Sequence, residues 1–173
     1  MTTALSHEPV LLDECISALQ VQRGGRYIDC TVGSGGHAAA ILENSAPGGQ
    51  FLGIDADPKA LKIAEERLKR YKGNFILVHD NFCYLRDICY RFGFQQVDGI
   101  LFDLGLSSLQ LEDEERGFSF QLDSPLNMRF DPNQELTAAY VVNTFPKEKI
   151  AEILRLYGEE RRSQQIAQHI VNN

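Results

Sequence analysis

A chain of 173 residues that is 43% hydrophobic and 24% charged has room for one α/β core, which excludes a disordered or fibrous protein. Its formal net charge of −7 argues against a broad electrostatic grip on nucleic acid, and no run approaches the roughly 20 apolar residues of a membrane span. The start lacks a basic segment followed by an apolar one, so a cytoplasmic protein is expected; Cys15, Cys30, Cys83 and Cys89 show no C-x-x-C spacing, so neither zinc, nor any other metal, nor a disulfide framework is expected.

His7 to Leu19 places Leu11, Leu12, Cys15, Ile16 and Leu19 on one helical stripe, predicted to lie across the entrance of the domain. A strand follows over 26–31, then a helix from near Gly36 that carries Ala38, Ala39, Ala40, Ile41 and Leu42 and stops before the loop 44–49. A second strand covers 50–55. Asp57 before Pro58 marks the next helix start, because aspartate accepts from the free N–H groups there and proline fits the first helical position; Leu61, Ala64 and Leu68 form its buried stripe. A strand over 74–79, a helix over 84–92 and a strand over 97–102 complete a βαβαβαβ rhythm. That rhythm predicts a mostly parallel sheet with ligands beyond the strand C-termini, where Asp29, Asp55, His79 and Asp103 all fall.

From Leu111 to Asn133 the rhythm breaks into a polar loop, whose acidic run Glu112 to Glu115 reads as solvated. Ile150, Ile153, Leu154 and Tyr157 then share one face of a helix that Gly158 can terminate, and Ile166, Ala167, Ile170 and Val171 begin another. The last pattern reaches the final residue without a cap, so a truncated chain is expected.

The most informative run is Tyr27-Ile28-Asp29-Cys30-Thr31-Val32-Gly33-Ser34-Gly35-Gly36-His37, an apolar strand turning through glycines into a helix. Glycines let backbone approach a ligand closely, and a helix start offers unpaired N–H groups. Dinucleotide pockets set a pyrophosphate against such a turn, which a carboxylate at Asp29 would repel. S-adenosylmethionine carries a sulfonium and an ammonium and no phosphate, so it fits Asp29 better than NAD does. Asp29 either orients the glycine loop through backbone bonds or meets the methionine end, or both. Asp55 stands where an acid accepts from both ribose hydroxyls of an adenosine cofactor. His37 reads as solvent-facing or loop-bracing ahead of any catalytic role. Phe82, after Asp80-Asn81, is either an adenine wall or core. Asp103, opening Asp103-Leu104-Gly105-Leu106-Ser107-Ser108, stands where a methyl acceptor would meet the sulfonium, and could accept a proton from an attacking exocyclic amine. Pyrimidine C5 chemistry is disfavoured, since no cysteine follows a proline.

Several runs together resemble the N-terminal part of the bacterial small-subunit ribosomal RNA cytosine N4-methyltransferases: His7-Glu8-Pro9-Val10-Leu11-Leu12, the glycine loop to His37, Gly53-Ile54-Asp55 with Asp57-Pro58, Asp98-Gly99-Ile100-Leu101 into Asp103-Leu104-Gly105, Ser107-Ser108-x-Gln110-Leu111, and Glu115-Arg116-Gly117-Phe118-Ser119-Phe120. The sequence departs from the usual pattern at Cys30, Val32, Leu109 and Asn127. The resemblance implies a Rossmann-like class I S-adenosylmethionine-dependent methyltransferase sheet over 1–110 and the start of a helical, RNA-holding insertion over 111–173. It implies methylation of a cytidine N4 in small-subunit ribosomal RNA, with cofactor contacts at Gly35, Gly36, His37, Asp55, Phe82, Asp103 and Gln110. Pro125 to Arg129 and Arg161-Arg162 are its local RNA candidates. No DNA or membrane partner is expected, and oligomeric state is not legible. The competing readings are an inactive cofactor-binding fragment and an NAD-dependent oxidoreductase.

Overall fold

A computed structural model describes residues 9–173, so His7 and Glu8 of the first predicted helix lie outside the described residues. The elements are α1 (Leu12–Ala18), β1 (Arg26–Asp29), α2 (Gly36–Asn44), β2 (Gln50–Asp55), α3 (Pro58–Leu68), β3 (Phe75–His79), α4 (Leu85–Phe92), β4 (Gly99–Leu101), α5 (Ser108–Glu112), α6 (Ala138–Thr144), α7 (Lys147–Tyr157) and α8 (Ser163–Asn172). They divide into two compact units, one ending at Leu109 and one running Gln110–Asn173.

In the first unit the four strands form a wholly parallel sheet in the order β3-β2-β1-β4. The chain winds outward from β1 to one edge and returns to its other side, giving a Rossmann-like sheet whose direction switches between β1 and β4. Strand alternation sorts the core onto two faces. Tyr27, Phe51 and, partly buried, Phe75 and Leu77 join Ala38, Ile41, Leu42 and Leu68 on one face, whereas Ile28, Leu52, Ile54 and Val78 meet Ile88 and Phe94 on the other. Both faces are therefore apolar, as a parallel sheet buried on two sides requires. Gly53 is glycine because a Cβ there would come within 2.7 Å of a Leu77 methyl and 2.9 Å of a Val32 methyl.

The strand expected over 97–102 is only Gly99–Leu101, and α1 begins at Leu12 instead of His7. At the start of α3, Asp57 Oδ1 accepts from Lys59 N at 2.9 Å, with Pro58 in the first helical position. This is the predicted cap.

The second unit centres on α7 and α8, which bury Ile150, Ala151 and Ala167 with Phe145, Leu154 and Ile170 against them. Gly158 does end α7, but with φ −100 it is not the left-handed residue; Glu159 is, at φ +51. Glycine is still needed, since a Cβ on Gly158 would sit 2.8 Å from the Leu154 carbonyl oxygen. The long connection before α6 is not merely a solvated loop. Arg116 is buried and donates from one guanidinium nitrogen to the carbonyls of Arg129 and Phe130, each at 2.7 Å. Gly117, at φ +68, lies so close to the Pro125 carbonyl oxygen that no Cβ fits.

Candidate functional site

After β1 the chain turns from Asp29 through Thr31 to Gly35 and enters α2. Gly33 at φ +52 and Gly35 at φ +80 both occupy left-handed backbone that side chains resist. A Cβ on Gly35 would lie 3.2 Å from the Cα and Cβ of Ala64 in α3, and one on Gly36 would run into the Pro9 ring. Those two glycines let the loop close on protein. Gly33 differs, because its nearest neighbour in that direction is the Thr31 carbonyl oxygen at 3.8 Å, leaving space beside the turn.

Asp55, at the end of β2, straps this loop. Its Oδ2 accepts from Gly33 N at 2.8 Å and its Oδ1 from Asp57 N at 2.9 Å, and the Ala56 N–H also bonds the carboxyl. Asp29 is 1% exposed, and its Oδ1 accepts from Thr31 N at 2.9 Å and from the Thr31 hydroxyl at 3.2 Å. The Thr31 Oγ1 in turn accepts from Asp103 N at 2.8 Å. Asp29, Thr31 and Asp103 thus tie the tip of β1 to the tip of β4, which gives Asp29 an orienting role.

Burial pushes the Asp29 carboxyl up to about 7 against the lowering effect of its Thr31 hydrogen bonds, with the charges of Asp55 and Asp103 adding to the rise. Burial also raises Asp55, partly offset by the Asp57 and Gly33 N–H groups. Asp29 therefore lies within electrostatic reach of both Asp55 and Asp103. Their negative charge is nonetheless smaller than a count of acids suggests, because burial favours the protonated form of Asp29. Cys15 on α1 borders the same acids: its thiol is raised first by burial, then by Asp103, Glu14 and Asp29.

His37 is 7% exposed, so it is buried and not solvent-facing, and its Nε2 has no hydrogen-bond partner among the described residues. At the end of β3, His79 Nε2 lies 3.1 Å from the Ala56 carbonyl oxygen and bridges to the loop after β2. Asp80 is engaged by Asn81 N at 2.9 Å and by Arg91 at 3.2 Å, and Asn81 Oδ1 accepts from Cys83 N at 2.9 Å. Both polar residues therefore shape the turn that presents Phe82, which is 41% exposed and not core. Gln110 is buried on α5, at the start of the second unit.

Two participants were missed by sequence reading. Thr31 had a local signal, a hydroxyl two residues after an acid, which favours a side-chain-to-backbone turn. Phe102, whose ring meets that of Phe82 edge to face, had none, since that contact depends on sheet order.

The sequence model of the MraW methylase family matches residues 4–173. The chain belongs to that family. This MraW-family chain is 56% identical over 169 residues to "Ribosomal RNA small subunit methyltransferase H" of Dehalococcoides mccartyi, covering 98% of the chain and 48% of that protein. It is 55% identical over 166 residues to the protein of the same name from Thermomicrobium roseum, covering 96% of the chain and 51% of that protein. The chain thus spans about half the length of the curated relatives it matches. Among solved structures it is similar to a protein-L-isoaspartate O-methyltransferase, 21% identical with a TM-score of 0.48 over 58% of the chain and 31% of that structure.

Proposed function

We propose that the crevice at the tips of β1, β2 and β4 binds S-adenosylmethionine, and that the protein methylates the N4 amino group of a cytidine in small-subunit ribosomal RNA. The observation that carries this reading is the glycine turn strapped by Asp55, with Asp29 and Asp103 gathered beside it. Membership of the MraW methylase family and the ribosomal RNA named in the relatives' descriptions support it. The residues present fit such a cofactor: Gly33 leaves open space, His37 Nε2 is a buried polar atom without a partner, and a cation would draw Asp29 into its ionised form. A diphosphate would do the opposite.

In this reading Asp55 holds the ribose hydroxyls with its carboxylate, and Gly33, Gly35, Gly36 and His37 form the cradle of the methionyl end. Asp29 acts through Thr31 to fix the loop. When bound, the cofactor supplies an electrophilic methyl on a sulfonium. Asp103, exposed at the tip of β4, accepts a hydrogen bond from the target amine, aims its lone pair and takes its proton as charge develops. Gln110 joins the cofactor contacts by family resemblance, and the exposed Arg161 and Arg162 are candidate RNA contacts. Arg129 is not free for that role, because its guanidinium is held by Asn127 Oδ1 at 2.7 Å and by the Gln134 carbonyl at 2.5 Å.

The test is incubation with methyl-tritiated cofactor and purified small ribosomal subunits, followed by nucleoside analysis of the RNA. Label in N4-methylcytidine is the expected result. Label in another nucleoside would overturn the N4 assignment, and its absence beside calorimetric cofactor binding would leave a binding module. Binding of NADH in preference to S-adenosylmethionine would replace the whole reading with a dehydrogenase.

A further inference from the structure

β3 and β4 are the two edges of the sheet, separated by β2 and β1. With strands about 4.8 Å apart, those edges are roughly 14 Å from each other. Yet the rings of Phe82, three residues past the end of β3, and Phe102, one residue past the end of β4, meet edge to face with centroids 5.6 Å apart. Both residues must therefore have left their strands and lean toward each other across the intervening pair. Their contact therefore bridges past the ends of β2 and β1, which close with Asp55 and Asp29.

The pair is also poorly covered. Phe82 is 41% and Phe102 46% exposed, although an edge-to-face aromatic pair in a core would bury both rings. Alternation places Ile100, whose register partner is Ile28, on the α4 side of the sheet, and Phe102 follows it by two. Phe82 opens the turn that leads into α4. An uncovered corner of two rings at right angles offers a face and an edge to a flat ring, the geometry in which aromatic groups hold a nucleobase without reading its hydrogen-bonding pattern. Asp80 and Asn81 add rigidity through their turn bonds, so Phe82 is held in place before any ligand arrives.

We propose that Phe102 is a second aromatic wall of this crevice and contacts the adenine ring together with Phe82. The inference rests on the cofactor reading above and deepens it by giving the residue before Asp103 a binding role. The backbone N–H of Asp103 is fixed by Thr31, so the ring of Phe102 and the carboxylate of Asp103 are set from one anchored peptide.

The chain contains no tryptophan, so Phe102→Trp introduces a single indole reporter. S-adenosylmethionine titrated into this variant is expected to change the indole emission along a saturating curve whose midpoint matches calorimetry. Phe102→Leu, which keeps apolar bulk and loses the ring, is expected to weaken both S-adenosylmethionine and methylthioadenosine about tenfold, the scale of one lost base-stacking contact. Thermal melts of both variants check the fold, and if Phe102→Leu fails to fold, the indole titration decides. Wild-type binding with a silent indole, or with Phe102→Leu affinity unchanged, would overturn the role of Phe102 and leave the cofactor reading standing. No binding by the wild-type chain would overturn the cofactor reading itself.

Discussion

Asp29 shows how a single carboxyl can serve geometry and electrostatics together. Its carboxyl lies near 7 in the fold, against an ordinary value of 3.8, because burial outweighs the Thr31 hydrogen bonds. The folded chain thus keeps a proton that the unfolded chain sheds between about pH 4 and pH 7. Asp29 therefore makes stability fall as pH rises through that window, and contributes no slope below or above it. Asp29→Asn, which can still accept from Thr31 N, is expected to flatten this fall, leaving a shallower slope of the same sign from Asp55. Urea midpoints measured across the window check this, and identical slopes in the two proteins would contradict it. Asp103 makes a different demand, because it is exposed and the proposed function gives it a part in the reaction. Asp103→Asn is expected to lower the initial rate of methyl transfer about a hundredfold while changing cofactor affinity far less, the pattern of a lost proton acceptor. Rate assays paired with calorimetry separate the two effects.

Sheet tips and helix starts were readable wherever the sequence states a local cause. The second strand matched 50–55 because Gly49 and the Asp55 turn bound a continuous apolar run, and α3 began at Pro58 because Asp57 caps it. Asp57→Ala is expected to cost about 1 kcal/mol, seen as a lowered melting temperature. Where the cause is nonlocal, the reading failed. The strand predicted over 97–102 shrank to Gly99–Leu101 because this edge strand has only β1, four residues long, to pair with. A five-residue helix such as α5 is too short to display a period. The burial of Arg116 was invisible because its partners are backbone carbonyls 13 and 14 residues away, and nothing in an acidic run signals them. In that same loop Gly117→Ala is expected to be strongly destabilising, since it adds both a left-handed strain and a clash with the Pro125 carbonyl. Limited proteolysis between α5 and α6 should show faster cleavage in the variant, and unchanged protection would contradict the packing described.

The proposed chemistry lies where the parallel sheet changes direction, between the glycine turn after β1 and the tip of β4, as open α/β sheets favour. The second unit has its own small core around Ile150, Ala151 and Ala167, and its exposed Arg161 and Arg162 sit in a chain of net charge −7. Under the proposed function, that balance favours recognition of a folded ribosomal particle by shape over a salt-driven grip on any RNA. In the proposed function the selective element is the acid-strapped turn, where Asp55 holds Gly33 and would also receive a cofactor hydroxyl. Calorimetric titration of S-adenosylmethionine into the wild-type chain and into Asp55→Ala, with NADH titrated in parallel, measures this directly. We expect saturable binding of S-adenosylmethionine by the wild type, at least a tenfold loss in Asp55→Ala and no heat from NADH; equal affinities in the two proteins, or preferential binding of NADH, would contradict it.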